Sequence, residues 1–173
     1  RVSQTLDGLP LNDSGNYALY TNQQVDPEVA AWRQNLDGTK GQSPAGNIHS
    51  VVSQIEADVQ RVRENNNNVY VEATGIPSHP IGPWGNNPNM AVDRNWTFRI
   101  TKNPTPATNH TNTPFGQMGV AVNGVVLYNA LDARSYRNRG IWMQLAPYFE
   151  GLSMDVGPGH PQQDGSYHYH ALP

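Results

Sequence analysis

Apolar and polar residues alternate along this chain more often than they recur at helical spacing, and alternation over four to eight residues predicts strands. Val69-Tyr70-Val71-Glu72-Ala73-Thr74 is the clearest case, preceded by the loop Asn65–Asn68 and by Val59–Arg63, so that the three pieces read as a hairpin. Trp96–Thr101 alternates in the same way. Met118–Tyr128 reads as a strand pair or one bulged strand, with Asn123-Gly124 the strongest two-residue turn signal in the chain. Residues 48–63 are ambiguous, because Val52, Ile55, Val59 and Val62 also fit helical spacing. Two short helices are expected, one opened by Asp26-Pro27-Glu28 and running to Trp32, the other over Ile141–Phe149. Asp132–Arg139 reads as polar and turn-like, and residues 1–47 as irregular, punctuated by Asp7-Gly8, Ser14-Gly15 and Asp37-Gly38. The expected fold is a single domain over 1–173, with a β core from residue 48. It is mainly β, an antiparallel sandwich or barrel with long Pro/Gly/Asn-rich loops.

Two segments break the alternation. Residues 75–95 form a loop rich in Pro, Gly and Asn that carries His79, and Asn103–Pro114 is a linker with the lone His110. A loop as long as the first is usually functional or held by something. Ile76, Pro77, Pro80, Pro83, Trp84 and Pro88 present too much rigid apolar surface to stay in water, so the loop is expected to pack on the core and bury Trp84.

Composition narrows the class. Charged residues make up 14% of the chain, against about 25% in ordinary soluble domains. Polarity comes from Asn, Gln, Ser and Thr instead, with 16 Gly and 14 Pro, which suits a loop-rich β protein outside the cytosol. The formal charge is −3 and no basic stripe runs among aromatics, so nucleic acid is not an expected partner. No apolar run approaches the 18 or so residues of a membrane-spanning helix. Arg1 stands where an initiator Met or a leader would, and the chain is read as a secreted or periplasmic protein that has lost its leader, or as part of a longer one.

Candidate chemistry gathers at the C-terminal end, where Gly159–His170 holds three of the six histidines. On a strand His168 and His170 project to one side, and Tyr167 and Tyr169 to the other. His160 joins them only in one register. A two-residue turn at Asp164-Gly165 would place His160 opposite Tyr169, on the wrong face. A three-residue turn, Gln163-Asp164-Gly165, puts Gly165 at the left-handed position such turns want and pairs His160 with His168. Three imidazoles on one face suit a transition metal, zinc or copper. The plain alternative is hydrogen-bonded histidines on a polar sheet face. His79 is the fourth imidazole considered, because the Pro-rich loop that carries it is expected to pack near this hairpin and bring it toward the site. Asp155, Asp132 and Asn123 are possible ligands or outer partners of a ligating ring. Asn86, Asn87 and Asn89 lack the clustered carboxylates of a calcium loop. The chain has no cysteine, no G-x-S-x-G elbow, no H-E-x-x-H helix and no phosphate loop.

Gly159-His160 followed by Tyr167-His168-Tyr169-His170 resembles the YHYH-domain family of mainly secreted bacterial proteins. The likeness extends over most of 69–173. It takes in Gly75-Ile76-Pro77, Ile81–Trp84, Asn87–Asn89, Phe98–Ile100, Gly119–Val125, Tyr128–Ala130 with Asp132, and then Trp142, Ala146, Glu150 and Asp155. The resemblance also implies what is missing here. Members often carry a cysteine two residues after the acidic residue and another just past the histidines, whereas here Gly157 follows Asp155 and Val156. The loop bearing His160 must then be held by something else, and the metal itself is the expected holder. Three functions remain open: a secreted metal-binding domain, a metal-dependent enzyme with an open coordination position, and a metal-free module for carbohydrate or a surface partner. The oligomeric state is not legible.

Overall fold

Alternating Val, Tyr, Trp and Phe positions become strands here because one face of each finds a partner layer. The computed structural model describes residues 59–77, 79 and 81–171, with Trp32, Gln34 and the backbone of strands at 2–4, 18–19, 40–45 and 51–56. The elements in chain order are β1 (Val2–Gln4), β2 (Ala18–Leu19), β3 (Lys40–Ala45), β4 (Val51–Glu56), β5 (Val59–Glu64), β6 (Asn68–Ala73), β7 (Trp96–Thr101), β8 (Gln117–Val120), β9 (Val126–Tyr128), β10 (Leu131–Ser135), β11 (Met143–Leu145), α1 (Ala146–Phe149), β12 (Gly159–Pro161) and β13 (Tyr167–Tyr169). The protein is mainly β, as expected.

Two sheets dominate. The first has the order β1-β7-β6-β5-β2, and the second β12-β13-β9-β8. The β5–β6 hairpin forms where the alternation places it, its turn closed by the Asn65 side chain, which accepts from the Asn67 and Asn68 amides. Residues 51–56 are strand, so alternation wins over helical spacing there. The sheets meet through Val59, Val62, Val71, Ala73, Trp96 and Phe98 of the first and Val126 of the second. On the other side of the second sheet, Val125, Tyr167 and Tyr169 pack against Ile76, Ile81, Trp84 and Ala91. The Pro-rich loop is therefore a third layer, and Trp84 is fully buried.

The second sheet is mixed. β12 and β13 are antiparallel, but β13 lies parallel to β9, with His168 beside Val126 and Tyr169 beside Leu127. Parallel neighbours need a crossover, and residues 129–158 supply it. That crossover corrects two expectations. Asp132–Ser135 belongs to strand β10, which pairs with β11, and the turn expected over Asp132–Arg139 is confined to the 3-10 turn Tyr136–Asn138. Ile141–Phe149 is not one helix: Pro147 is tolerated only in a first turn, so helix starts at Ala146 and the residues before it are strand. The N-terminal stretch read as irregular contributes β1, β2 and β3. The helix expected from Asp26 lies outside the described residues except for Trp32, which packs on the core.

Candidate metal centre

The histidine face is built by the turn at its tip. The Gln162 amide donates to the Ser166 carbonyl, the Gly165 amide donates to the Gln162 carbonyl, and Gly165 sits at φ +82°. The loop is thus Gln163-Asp164-Gly165, tightened by the Ser166 amide donating to the Asp164 carboxylate at 2.9 Å. His160 then pairs with His168 and Pro161 with Tyr167. Parallel pairing to β9 also puts Val126 and Tyr128 on this face. The Tyr128 ring stacks on His168 with centroids 4.0 Å apart.

One nitrogen from each of His160, His168 and His170 lies within 4.8 Å of the others. His168 Nε2 and His170 Nε2 are 3.2 Å apart. Imidazole nitrogens around a tetrahedral zinc stand about 3.4 Å apart, for bonds of about 2.0–2.1 Å, so drawing the set in by an ångström or so completes a shell. The crossover adds a fourth donor. Glu150 Oε2 lies 3.2 Å from His160 Nε2 and 3.8 Å from His170 Nε2.

Hydrogen bonds on the far side of each ring fix where the protons are. His168 Nδ1 lies 3.1 Å from the Ser166 carbonyl and His170 Nδ1 2.8 Å from the Asn129 carbonyl. A carbonyl only accepts, so both nitrogens carry the proton. Ser153 Oγ gives its one proton to the Glu150 carbonyl, and therefore accepts from His160 Nδ1 at 2.8 Å. With all three Nδ1 atoms protonated, the neutral rings leave three Nε2 lone pairs, with one carboxylate oxygen beside those of His160 and His170, free to face a shared ion. A proton on His160 would satisfy Glu150, but the His168–His170 pair remains two acceptors face to face. Burial above all, helped by the neighbouring His160, lowers the His168 pKa to about 3. Burial likewise lowers that of His170. When His160 takes a second proton its Nε2 donates to Glu150, and that hydrogen bond, ahead of the other causes, holds Glu150 below the ordinary carboxylate range.

The other expected residues fall elsewhere. His79 lies across β13, on the tyrosine face, with Nε2 2.6 Å from the Tyr169 hydroxyl. Asn123 donates to that same hydroxyl at 3.1 Å and sits in a turn. Asp155 touches no motif histidine. Its carboxylate accepts from the Gly82 amide, Trp84 Nε1, the Tyr167 hydroxyl and the Gly157 and Gly159 amides. Asp155 thus ties the segment leading into His160 to the Pro-rich loop, and His79 ties that loop to β13. His79 also fills the space beside Gly157, where an added Cβ would stand 2.8 Å from its ring. Asp132 is buried beside Glu150, its carboxylate accepting from the Arg134 amide, and it is not among the converging donors. His110 is exposed in its linker, and His49 lies outside the described residues.

Glu150, Ser153 and Tyr128 are what the pattern of histidines alone does not reveal. Glu150 and Tyr128 do belong to the motif residues that carry the family resemblance, and that is the signal that points to them. A cleft of about 480 Å³ opens onto the site, lined by His160, His168, His170 and Glu150 and by uncharged residues such as Asn87, Phe115 and Gln162. Among the described residues no helix is long and apolar enough to cross a membrane. Residues 97–173 match the family model described as YHYH protein; residues 69–96, which carry the earlier part of the resemblance, lie outside the match. No curated protein and no solved structure matches the chain.

Proposed function

We propose that the YHYH domain at residues 97–173 binds one transition-metal ion, zinc or copper, through His160, His168 and His170, with Glu150 as the fourth donor. The observation that carries this reading is the convergence of four electron-pair donors with no proton left to separate His168 from His170. Such a cluster is costly to bury unless a cation occupies it. The outer hydrogen bonds to Ser166, Asn129 and Ser153 are of the kind that orient ligating imidazoles. A secreted or periplasmic location, as the composition suggests, agrees with this reading. Elemental analysis of unchelated protein should find one equivalent of metal, and His168→Ala should remove most of it. Full occupancy in the His160→Ala, His168→Ala and His170→Ala variants rejects the proposal.

A second reading, a metal-dependent enzyme, is favoured by the cleft that reaches the donor atoms. If Glu150 stays out of the coordination shell, the ion keeps a position for water or substrate. Cobalt substitution separates the two: azide shifts the visible spectrum of an open site and leaves a site closed by four protein donors unchanged.

A further inference from the structure

The crossover that carries Glu150 also bears a patch that is unusual for a surface. Between Ala133 and Phe149 there are three arginines, Arg134, Arg137 and Arg139, and no acidic residue, on a chain whose net charge is −3. None of the three forms an ion pair among the described residues. Beside them Ile141, Trp142 and Tyr148 are exposed to 69%, 74% and 80%. Trp142, Leu145, Tyr148 and Phe149 line a shallow apolar groove of about 370 Å³ together with Tyr136, over whose ring the Arg137 guanidinium lies at 5.1 Å. Apolar side chains this exposed, gathered along one groove with a cation against it and two more close in sequence, mark an interaction surface.

We infer that this surface docks on an anionic lipid membrane. Charge complementarity selects the partner: the arginines form a local cationic patch that a negative headgroup layer attracts despite the overall acidic charge. The apolar members select membrane over nucleic acid, since Ile141 and Leu145 offer no stacking face for a base yet suit the boundary of headgroup and acyl chain. Trp142 and Tyr148 are the side chains that favour that boundary. The inference does not depend on metal binding, although docking would bring Glu150, at the end of α1, close to the lipid surface.

The test is flotation of the full chain with vesicles of phosphatidylcholine alone and with about one-third phosphatidylglycerol. Binding is expected to the second only, and to weaken as salt is raised. A basic side chain near an anionic surface contributes about fivefold to partitioning, so Arg137→Gln with Arg139→Gln should weaken it roughly 25-fold. Trp84 and Trp96 are buried and Trp32 packs partly buried on the core, whereas Trp142 is exposed, so the vesicle-induced blue shift in fluorescence should vanish in Trp142→Phe while binding persists. Equal binding to both vesicle types, or to neither, overturns the inference. So does a concentration-dependent dimer that Trp142→Ser disperses and that does not bind vesicles. Metal content is measured on the same variants, and its loss would count against the metal site alone.

Discussion

At Asp155 a single carboxylate accepts from three backbone amides, an indole and a phenol. Asp155→Ala leaves the buried Trp84 Nε1 and Tyr167 hydroxyl without their partner, and each such orphan costs about 1–3 kcal/mol. A loss of about 3–5 kcal/mol in urea unfolding is expected, and a loss under 1 kcal/mol would mean that solvent replaces the carboxylate. The Tyr167 pKa, raised chiefly by burial and then by Asp155, shows the same dependence, because the phenol stays a donor throughout the accessible pH range. Glu150 answers a different question. Glu150→Gln preserves shape and removes charge, so metal affinity should fall by tenfold to a hundredfold, and the metal-free protein should lose the stability that the charged carboxylate contributes above its ordinary pKa. Titration calorimetry reads this directly, and an unchanged affinity places Glu150 outside the shell.

Among the elements, the histidine hairpin depends on one backbone conformation. Gly165 is left-handed, and a Cβ there would stand 2.5 Å from Val92 Cγ2 and 3.1 Å from the Met90 carbonyl. Gly165→Ala therefore combines a conformational penalty of about 1 kcal/mol with displacement of Val92, for a total of roughly 1–3 kcal/mol. Because the same turn sets His160 opposite His168, metal affinity should fall with stability. Unfolding with and without chelator measures both. The β8–β9 connection repeats the turn: the Gly124 amide donates to the Ala121 carbonyl, Gly124 sits at φ +79°, and the Asn123 side chain accepts from the Val125 amide. Asn123-Gly124 read alone suggests a two-residue loop, yet the loop is Val122-Asn123-Gly124. An Asx-Gly pair fits either turn type, and strand packing chooses between them.

For the whole molecule, the pH dependence follows from buried neutral imidazole. His168 has an ordinary pKa of 6.5 and a folded value of about 3. Between those values the unfolded chain holds the extra proton, so stability is present above about pH 6.5 and drains away as pH falls toward 3, by up to about 1.4 kcal/mol per unit. Burial lowers His170 in the same direction. Glu150, also lowered, adds stability that is present above its ordinary 4.5 and lost as pH falls through its folded value. A bound metal strengthens the trend, since protons compete for the same lone pairs. At metal a hundredfold above Kd, binding adds about 2.7 kcal/mol, so chelation at pH 7.5 should lower Tm by roughly 5–10 °C for a chain this size. The chelator effect should disappear near pH 4. A Tm insensitive to chelator at pH 7.5 contradicts metal binding.

Local chemistry alone determined much of this protein. Alternation places β5, β6 and β7, turn preference at Asp164-Gly165 offers the register that puts three histidines on one face, and the apolar content of residues 75–91 requires that loop to pack. These are near-neighbour effects, set by backbone sterics and by the need of each apolar face for cover. The partners brought from far along the chain were decided by tertiary structure. Parallel pairing of β13 with β9 is not encoded in either strand's pattern, and it is what stacks Tyr128 on His168 and routes the crossover so that Glu150 arrives beside His160. His79 illustrates the same limit. The chain predicts that its loop approaches the hairpin, but only the packing of Trp84 against Tyr167 and Asp155 decides that the approach is to the tyrosine face, which leaves His79 a partner of Tyr169 on the side away from the three converging imidazoles.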